Sequence, residues 1–68
     1  MKFDSAQSLI NYYKGKITLA GLEQITGINQ KQLQHYSTGF RKPRPAQEKK
    51  IVDALHAFGK DLVSVEFV

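Results

Sequence analysis

Gly27 is the residue that most constrains how this chain can fold. It stands between two segments with helical apolar spacing, and glycine ends a helix in the left-handed conformation without a Cβ clash. The segment before it has apolar residues at intervals of three: Leu19, Leu22 and Ile25. Thr18 is a suitable N-cap for that helix. The sequence therefore predicts two short helices joined by a tight turn, with residues 18–38 as the core of the chain.

The helix after the turn has an apolar inner side and a polar outer side. Asn29 is its predicted N-cap, and Gln32 three residues later completes a capping-box pattern. The inner residues are Ile28, Leu33 and Tyr36. The outer residues are Gln30, Lys31, Gln34 and His35. The helix is predicted to end at residues 37–39, with Gly39 in the left-handed region.

Two further helices flank this pair. Helix 1 is predicted at about residues 5–14, with Asp4 or Ser5 as its N-cap, because apolar residues recur there at helical spacing. Helix 4 begins at Pro45, which suits a first helical turn. Its apolar stripe consists of Ile51, Val52, Leu55, Phe58 and Leu62. Gly59 marks either the end of this helix or a weak point in it.

From Val63 the apolar period changes to two, which predicts a short C-terminal strand. Val63, Val65 and Phe67 face one way along it. A strand needs a partner for its backbone groups. The candidates are the extended residues 1–3 and the same strand of a second subunit. We favour the second subunit, so that these three apolar residues form a dimer interface.

Positive charge is concentrated in one segment. The chain of 68 residues has a net charge of +4, but residues 31–50 contain six cations and one anion, which gives +5, and the remainder gives −1. Such a basic patch usually faces a polyanion, although it can also be an ordinary solvated surface. Its cations are Lys31, Arg41, Lys42, Arg44, Lys49 and Lys50.

These features together predict sequence-specific binding of double-stranded DNA. A recognition helix presents hydrogen-bonding side chains to base edges, and other groups hold it there through phosphates. The residues predicted to read bases are Gln30, Lys31, Gln34 and His35. The residues predicted to contact phosphates are Thr18, Tyr36, Arg41, Lys42 and Arg44.

The stretch LEQITGINQKQLQHYSTGFRKPRP resembles the helix-turn-helix of the Cro/phage-repressor (XRE) family. From Tyr36 onward the chain more closely resembles the DNA-binding domain of HicB-type antitoxins, through Tyr36, Gly39, Pro43, Gln47 and Ile51. This resemblance covers about residues 18–68. It implies a mainly α, four- or five-helix repressor-like domain that binds operator DNA as a homodimer. It also implies a repressor or an autoregulator of a toxin–antitoxin operon, which would have a toxin partner.

Other classes fit less well. No glycine-rich phosphate loop or paired-carboxylate motif is present, so we expect neither an enzyme nor a cofactor or metal site. A protein–protein interaction module that uses the C-terminal strand and Phe40 is the alternative. RNA binding is disfavoured because exposed aromatics spaced for base stacking are missing. With no cysteine, no apolar leader and no membrane span, the chain is expected to be a single cytoplasmic domain, residues 1–68.

Overall fold

A computed structural model describes all 68 residues of the chain. It contains four α-helices and no strand. The helices are α1 (Ala6–Tyr13), α2 (Leu19–Thr26), α3 (Gln30–Thr38) and α4 (Pro45–Ser64). Helix α3 packs against both α1 and α2, and α4 packs against α2. The prediction of a mainly α domain is confirmed, with four helices rather than five.

Side-chain caps fix the starts of the first two helices. Ser5 is the N-cap of α1, and its hydroxyl accepts a hydrogen bond from the N–H of Ser8 at 3.1 Å. Asp4 accepts instead from the hydroxyl of Ser8 at 2.7 Å, so Ser5 is the cap of the two candidates. Thr18 caps α2 as predicted, and its hydroxyl accepts from the N–H of Gly21 at 3.0 Å.

A small core joins all four helices. Its buried residues are Ile10, Leu22, Ile28, Leu33, Tyr36 and Ile51. Three of these belong to the predicted inner side of α3 and the turn before it. Leu33 is only 1% exposed, and the turn residue Ile28 is 4% exposed. Helix α3, which has the polar outer side, is therefore also the helix that supplies the most residues to this core.

The predicted C-terminal strand is wrong. Helix α4 continues through Gly59 to Ser64, and residues 65–68 form no strand; the N–H of Val65 donates back to the carbonyl of Leu62 at 3.3 Å. Residues 1–3 do not pair with them either. A helix satisfies its backbone groups internally, whereas a strand needs a neighbour. Val63, Val65 and Phe67 therefore share no strand face, and they are 89%, 70% and 102% exposed.

The second half of α4 leaves the body of the domain. Every one of residues 60–68 is exposed, and the molecule measures 45 × 20 × 19 Å. We call residues 62–68 the C-terminal arm. Gly59 lies inside the helix just before it, where glycine costs about 1 kcal/mol relative to alanine. No heavy atom lies within 4 Å of the position that a Cβ would take, so packing within the chain does not explain this glycine.

Candidate nucleic-acid interface

The turn between α2 and α3 is as tight as the sequence predicts. Gly27 has φ of 75° in the left-handed region, and its N–H donates to the carbonyl of Glu23 at 2.7 Å. Ile28 is buried directly after it. Helix α3 begins two residues later, so the turn holds the ends of the two helices in a fixed relation.

Two side chains satisfy the first N–H groups of α3. The Asn29 side chain accepts from the N–H of Lys31 at 2.8 Å, which confirms the predicted cap. The Glu23 carboxylate reaches across the turn and accepts from the N–H of Gln30 at 2.9 Å. A carboxylate at a helix N-terminus is also favoured by the helix dipole. This bond ties α2 to α3, and sequence reasoning missed it.

The second half of the predicted capping box does not form. The side-chain amide of Gln32 donates to the Tyr36 hydroxyl at 2.9 Å, one helical turn further on. Tyr36 is 3% exposed, so its ring belongs to the core while its hydroxyl borders the surface beside Gln32. Gln32 therefore orients a tyrosine hydroxyl instead of closing the helix start.

Three of the four predicted base-reading residues form a free polar surface. Gln30, Lys31 and Gln34 are exposed, and their side chains make no hydrogen bond within the chain. They occupy positions i, i+1 and i+4, which share one face of a helix. This face can offer amide and ammonium groups to a ligand without breaking any internal bond.

His35 is placed differently from these three residues. It is half-buried, and its ring lies against Phe40, with ring centroids 5.0 Å apart. Its Nδ1 atom is buried and has no hydrogen-bond partner. The structure thus brings His35 to the side of α3 that faces the following loop. Helical spacing predicts the position of His35 on α3, but it does not predict that Phe40 covers part of the His35 ring.

The loop after α3 forms one wall of a basic groove of about 630 Å³. This groove is lined by Gln32, Tyr36, Phe40, Arg41, Lys42, Arg44, Ala46 and Gln47. The three cations are exposed and have no carboxylate partner. Four of the five predicted phosphate-contacting residues therefore lie together, with the Tyr36 hydroxyl in the same groove. Thr18 lies outside it, at the start of α2.

The two cations of the basic segment that lie on α4 differ in their surroundings. Lys49 forms an ion pair with Asp53 at 2.8 Å. The hydrogen bond and the charge of Asp53 raise the pKa of Lys49, and the pair leaves little net charge on that part of α4. Lys50 extends toward the turn, and its Nζ lies 3.9 Å from the position that a Cβ on Gly27 would take. Lys50 thus adds an unpaired cation beside the turn.

Helix α1 fixes the far end of α3. The side-chain amide of Asn11 donates to the carbonyl of Ser37 at 2.8 Å. Gly39 ends the helix with φ of 81°, as predicted. A Cβ on Gly39 would come within 3.1 Å of the Gln7 side chain. The outer face of α3 is therefore positioned at both ends, by Glu23 and Asn29 at one and by α1 at the other.

Comparisons of the chain with protein-family models, with curated proteins and with solved structures found no match.

No three His, Cys, Asp or Glu side chains approach closely enough to hold a metal ion. No helix in the structure is both long and apolar enough to span a membrane.

Proposed function

We propose that this chain is a helix-turn-helix protein that binds double-stranded DNA sequence-specifically and acts as a small transcriptional regulator. One observation supports this most strongly. A polar face with no internal hydrogen bonds lies on a helix fixed at both ends, and the loop that directly follows this helix carries three unpaired cations. A duplex offers hydrogen-bonding base edges and a row of phosphates together, so both surfaces are used at once.

The base-reading role falls to the outer face of α3. Glutamine forms a bidentate pair with adenine, and lysine donates to guanine in the major groove. In a docked recognition helix, residues near the N-terminus contact base edges. Gln30 and Lys31 meet both conditions, and Gln34 lies one turn further along the same face. His35 takes part through the edge of its ring that Phe40 leaves open.

The phosphate-binding role falls to the basic groove. Arg41, Lys42 and Arg44 supply charge, and the Tyr36 hydroxyl, already accepting from Gln32, has its own proton to donate. Thr18 would bind a separate phosphate at the start of α2. Such contacts set the position of the protein on the duplex but carry no sequence information.

Helix-turn-helix modules usually read two half-sites as dimers, with the half-sites about one turn of DNA apart. We therefore propose a dimeric repressor or an antitoxin-like autoregulator. Selection of bound sequences from a random duplex pool tests this directly. We expect a palindromic consensus. Recovery of no consensus at low salt would contradict sequence-specific binding.

The first prediction concerns specificity. Gln30→Ala and Gln34→Ala should each cost about 1–3 kcal/mol of binding free energy on the selected site, because each removes a base contact. On random duplex the loss should be much smaller. Fluorescence anisotropy with both duplexes measures the two values. Gln24→Ala, which removes an exposed glutamine from α2, is the matched control and should change neither. An unchanged consensus in both α3 variants would place the recognition surface elsewhere.

The second prediction concerns salt. If Lys31, Arg41, Lys42 and Arg44 neutralise about four phosphates per subunit, log affinity of one subunit for a half-site duplex should fall with log salt at a slope near −3.6. Arg41→Ala or Arg44→Ala should weaken binding to all sequences alike and reduce the slope by about 0.9. Titrations at several salt concentrations give the slope. Lys2→Ala removes an exposed cation outside the segment and serves as the control. A salt-independent affinity would contradict the phosphate contacts.

The exposed apolar arm and Phe40, which is 70% exposed, favour the second candidate, a protein–protein interaction module. The two functions separate in a combined pull-down and gel-shift experiment. Tight protein partners with no duplex binding at low salt would favour the interaction module. Binding should then depend on Phe40 and the arm and should not change in the Gln30→Ala variant.

A further inference from the structure

Most of the exposed large apolar side chains of this chain lie in the C-terminal arm. Nine large apolar residues are exposed. Five of them belong to the C-terminal arm: Leu62, Val63, Val65, Phe67 and Val68. Two more, Met1 and Val52, line a groove between α4 and the N-terminal end of α1. Only Tyr12 and Phe40 lie elsewhere. The chain therefore leaves two apolar regions uncovered, the arm and the groove.

The groove is mainly apolar, since eight of its 12 lining residues are hydrophobic. It has a volume of about 380 Å³, and its lining includes Phe3, Leu9, Tyr13, Ile51 and Leu55. A second, shallower depression continues along α4 past Leu55 and Gly59 to Val63. An apolar channel therefore follows α4 from the body of the domain to the start of the arm.

One face of α4 carries this channel. Val52, Leu55, Gly59 and Leu62 recur at intervals of three and four, the spacing of a helical stripe. Gly59 lies at its centre, and a Cβ there would meet nothing within the chain. Gly59 lowers helix stability, and packing within the monomer does not require it. A second helix that crosses closely at this point would account for it.

We propose that the channel and the arm form a two-fold interface between two copies of this chain, with their α4 helices antiparallel and crossing at Gly59. This inference deepens the dimeric form of the proposed function by naming the surface that forms it. An axis at Gly59 places residue 59+n of one copy opposite residue 59−n of the other. Val63 then faces Leu55 of the other copy, and the arm continues toward Ile51 and into the groove.

The antiparallel arrangement covers every part of the surface, because each arm fills the groove of the other copy. A parallel pair would bring the two arms together and leave both grooves open. A stable interface removes roughly 800 Å² from each partner. Seven arm residues, all exposed, and a groove lined by 12 residues provide surface of that order on a chain with 5260 Å² in total.

Sedimentation equilibrium of the full chain without DNA tests the proposal. We expect a dimer at high micromolar concentration. Gly59→Leu should raise the dimer dissociation constant roughly 10- to 100-fold, because the new side chain separates the crossing helices. Ala57→Leu adds the same side chain to the opposite, exposed face of α4 and should leave dimerisation unchanged. A monomeric wild-type chain would overturn the proposal, as would a Gly59→Leu variant that dimerises like the wild type.

Val63→Lys provides a second variant whose monomer should fold normally, because Val63 is 89% exposed. Its dimer should dissociate, whereas its thermal unfolding at high dilution should match that of the wild type. Titration with a single half-site duplex separates this proposal from the proposed function. A dimer that binds no duplex contradicts DNA binding and supports the interface. A wild-type chain that binds the half-site but remains monomeric overturns the interface alone.

Discussion

Leu33→Ala is expected to remove a large part of the free energy of unfolding of this chain. Leu33 is only 1% exposed and lies in the core where α3 meets the other helices. Truncating a buried leucine to alanine costs about 2–5 kcal/mol, while the whole free energy of unfolding for a chain of this length is roughly 3–10 kcal/mol. Circular dichroism should show the melting temperature falling by roughly 10–30 °C. Duplex binding should be lost in proportion to the unfolded fraction.

Leu62→Ala is the matched control for this substitution. The same side chain is removed from α4, at a position that is 57% exposed. At dilution, where the chain is monomeric, the free energy of unfolding should change by no more than about 0.5 kcal/mol. If the two leucine variants lost similar stability, the core would not be centred on α3.

Gly27→Ala is expected to weaken DNA binding more than it weakens folding. An alanine at φ of 75° costs about 1–2 kcal/mol, because its Cβ crowds the backbone in the left-handed region. The new methyl group would come no closer than 3.9 Å to Lys50, so the cost arises from the backbone alone. Relief of this strain would shift the start of α3 relative to α2. Affinity for the selected duplex, corrected for the folded fraction, should therefore fall.

Gly15→Ala makes the same chemical change where φ is not positive. The added methyl group would lie 3.8 Å from the carbonyl of Tyr12, an ordinary contact. Thermal unfolding and duplex affinity should both stay close to the wild-type values. Equal losses in the two glycine variants would mean that the left-handed turn is not what positions α3.

The sequence allowed the helical part of the fold to be predicted, because its signals are local. The 3.6-residue period identified Leu33 and Tyr36 as buried, and residue type alone placed left-handed glycines at positions 27 and 39. The predicted C-terminal strand is wrong because the alternation of apolar and polar residues there covers only five positions. A pattern that short does not show whether a partner for the strand exists.

The candidate site was only partly predictable. The exposed side chains of Gln30, Lys31 and Gln34 follow from helical spacing. The Glu23 bond to Gln30 could not be predicted, because it depends on how the turn brings α2 beside the start of α3. Gln32 was assigned to a capping box, but the Tyr36 hydroxyl one turn away binds its side chain instead.

The Glu23 bond also makes the two ends of α3 differ in their surrounding charge. The N–H donors at the start of a helix commonly bind phosphate, but here Glu23 and Asn29 already accept from the N–H groups of Gln30 and Lys31. An anion approaching α3 therefore meets a carboxylate at one end and the cations of the basic groove beyond the other. The phosphates of a polyanion are therefore favoured near the C-terminal end of this helix, and this preference acts before any base is read.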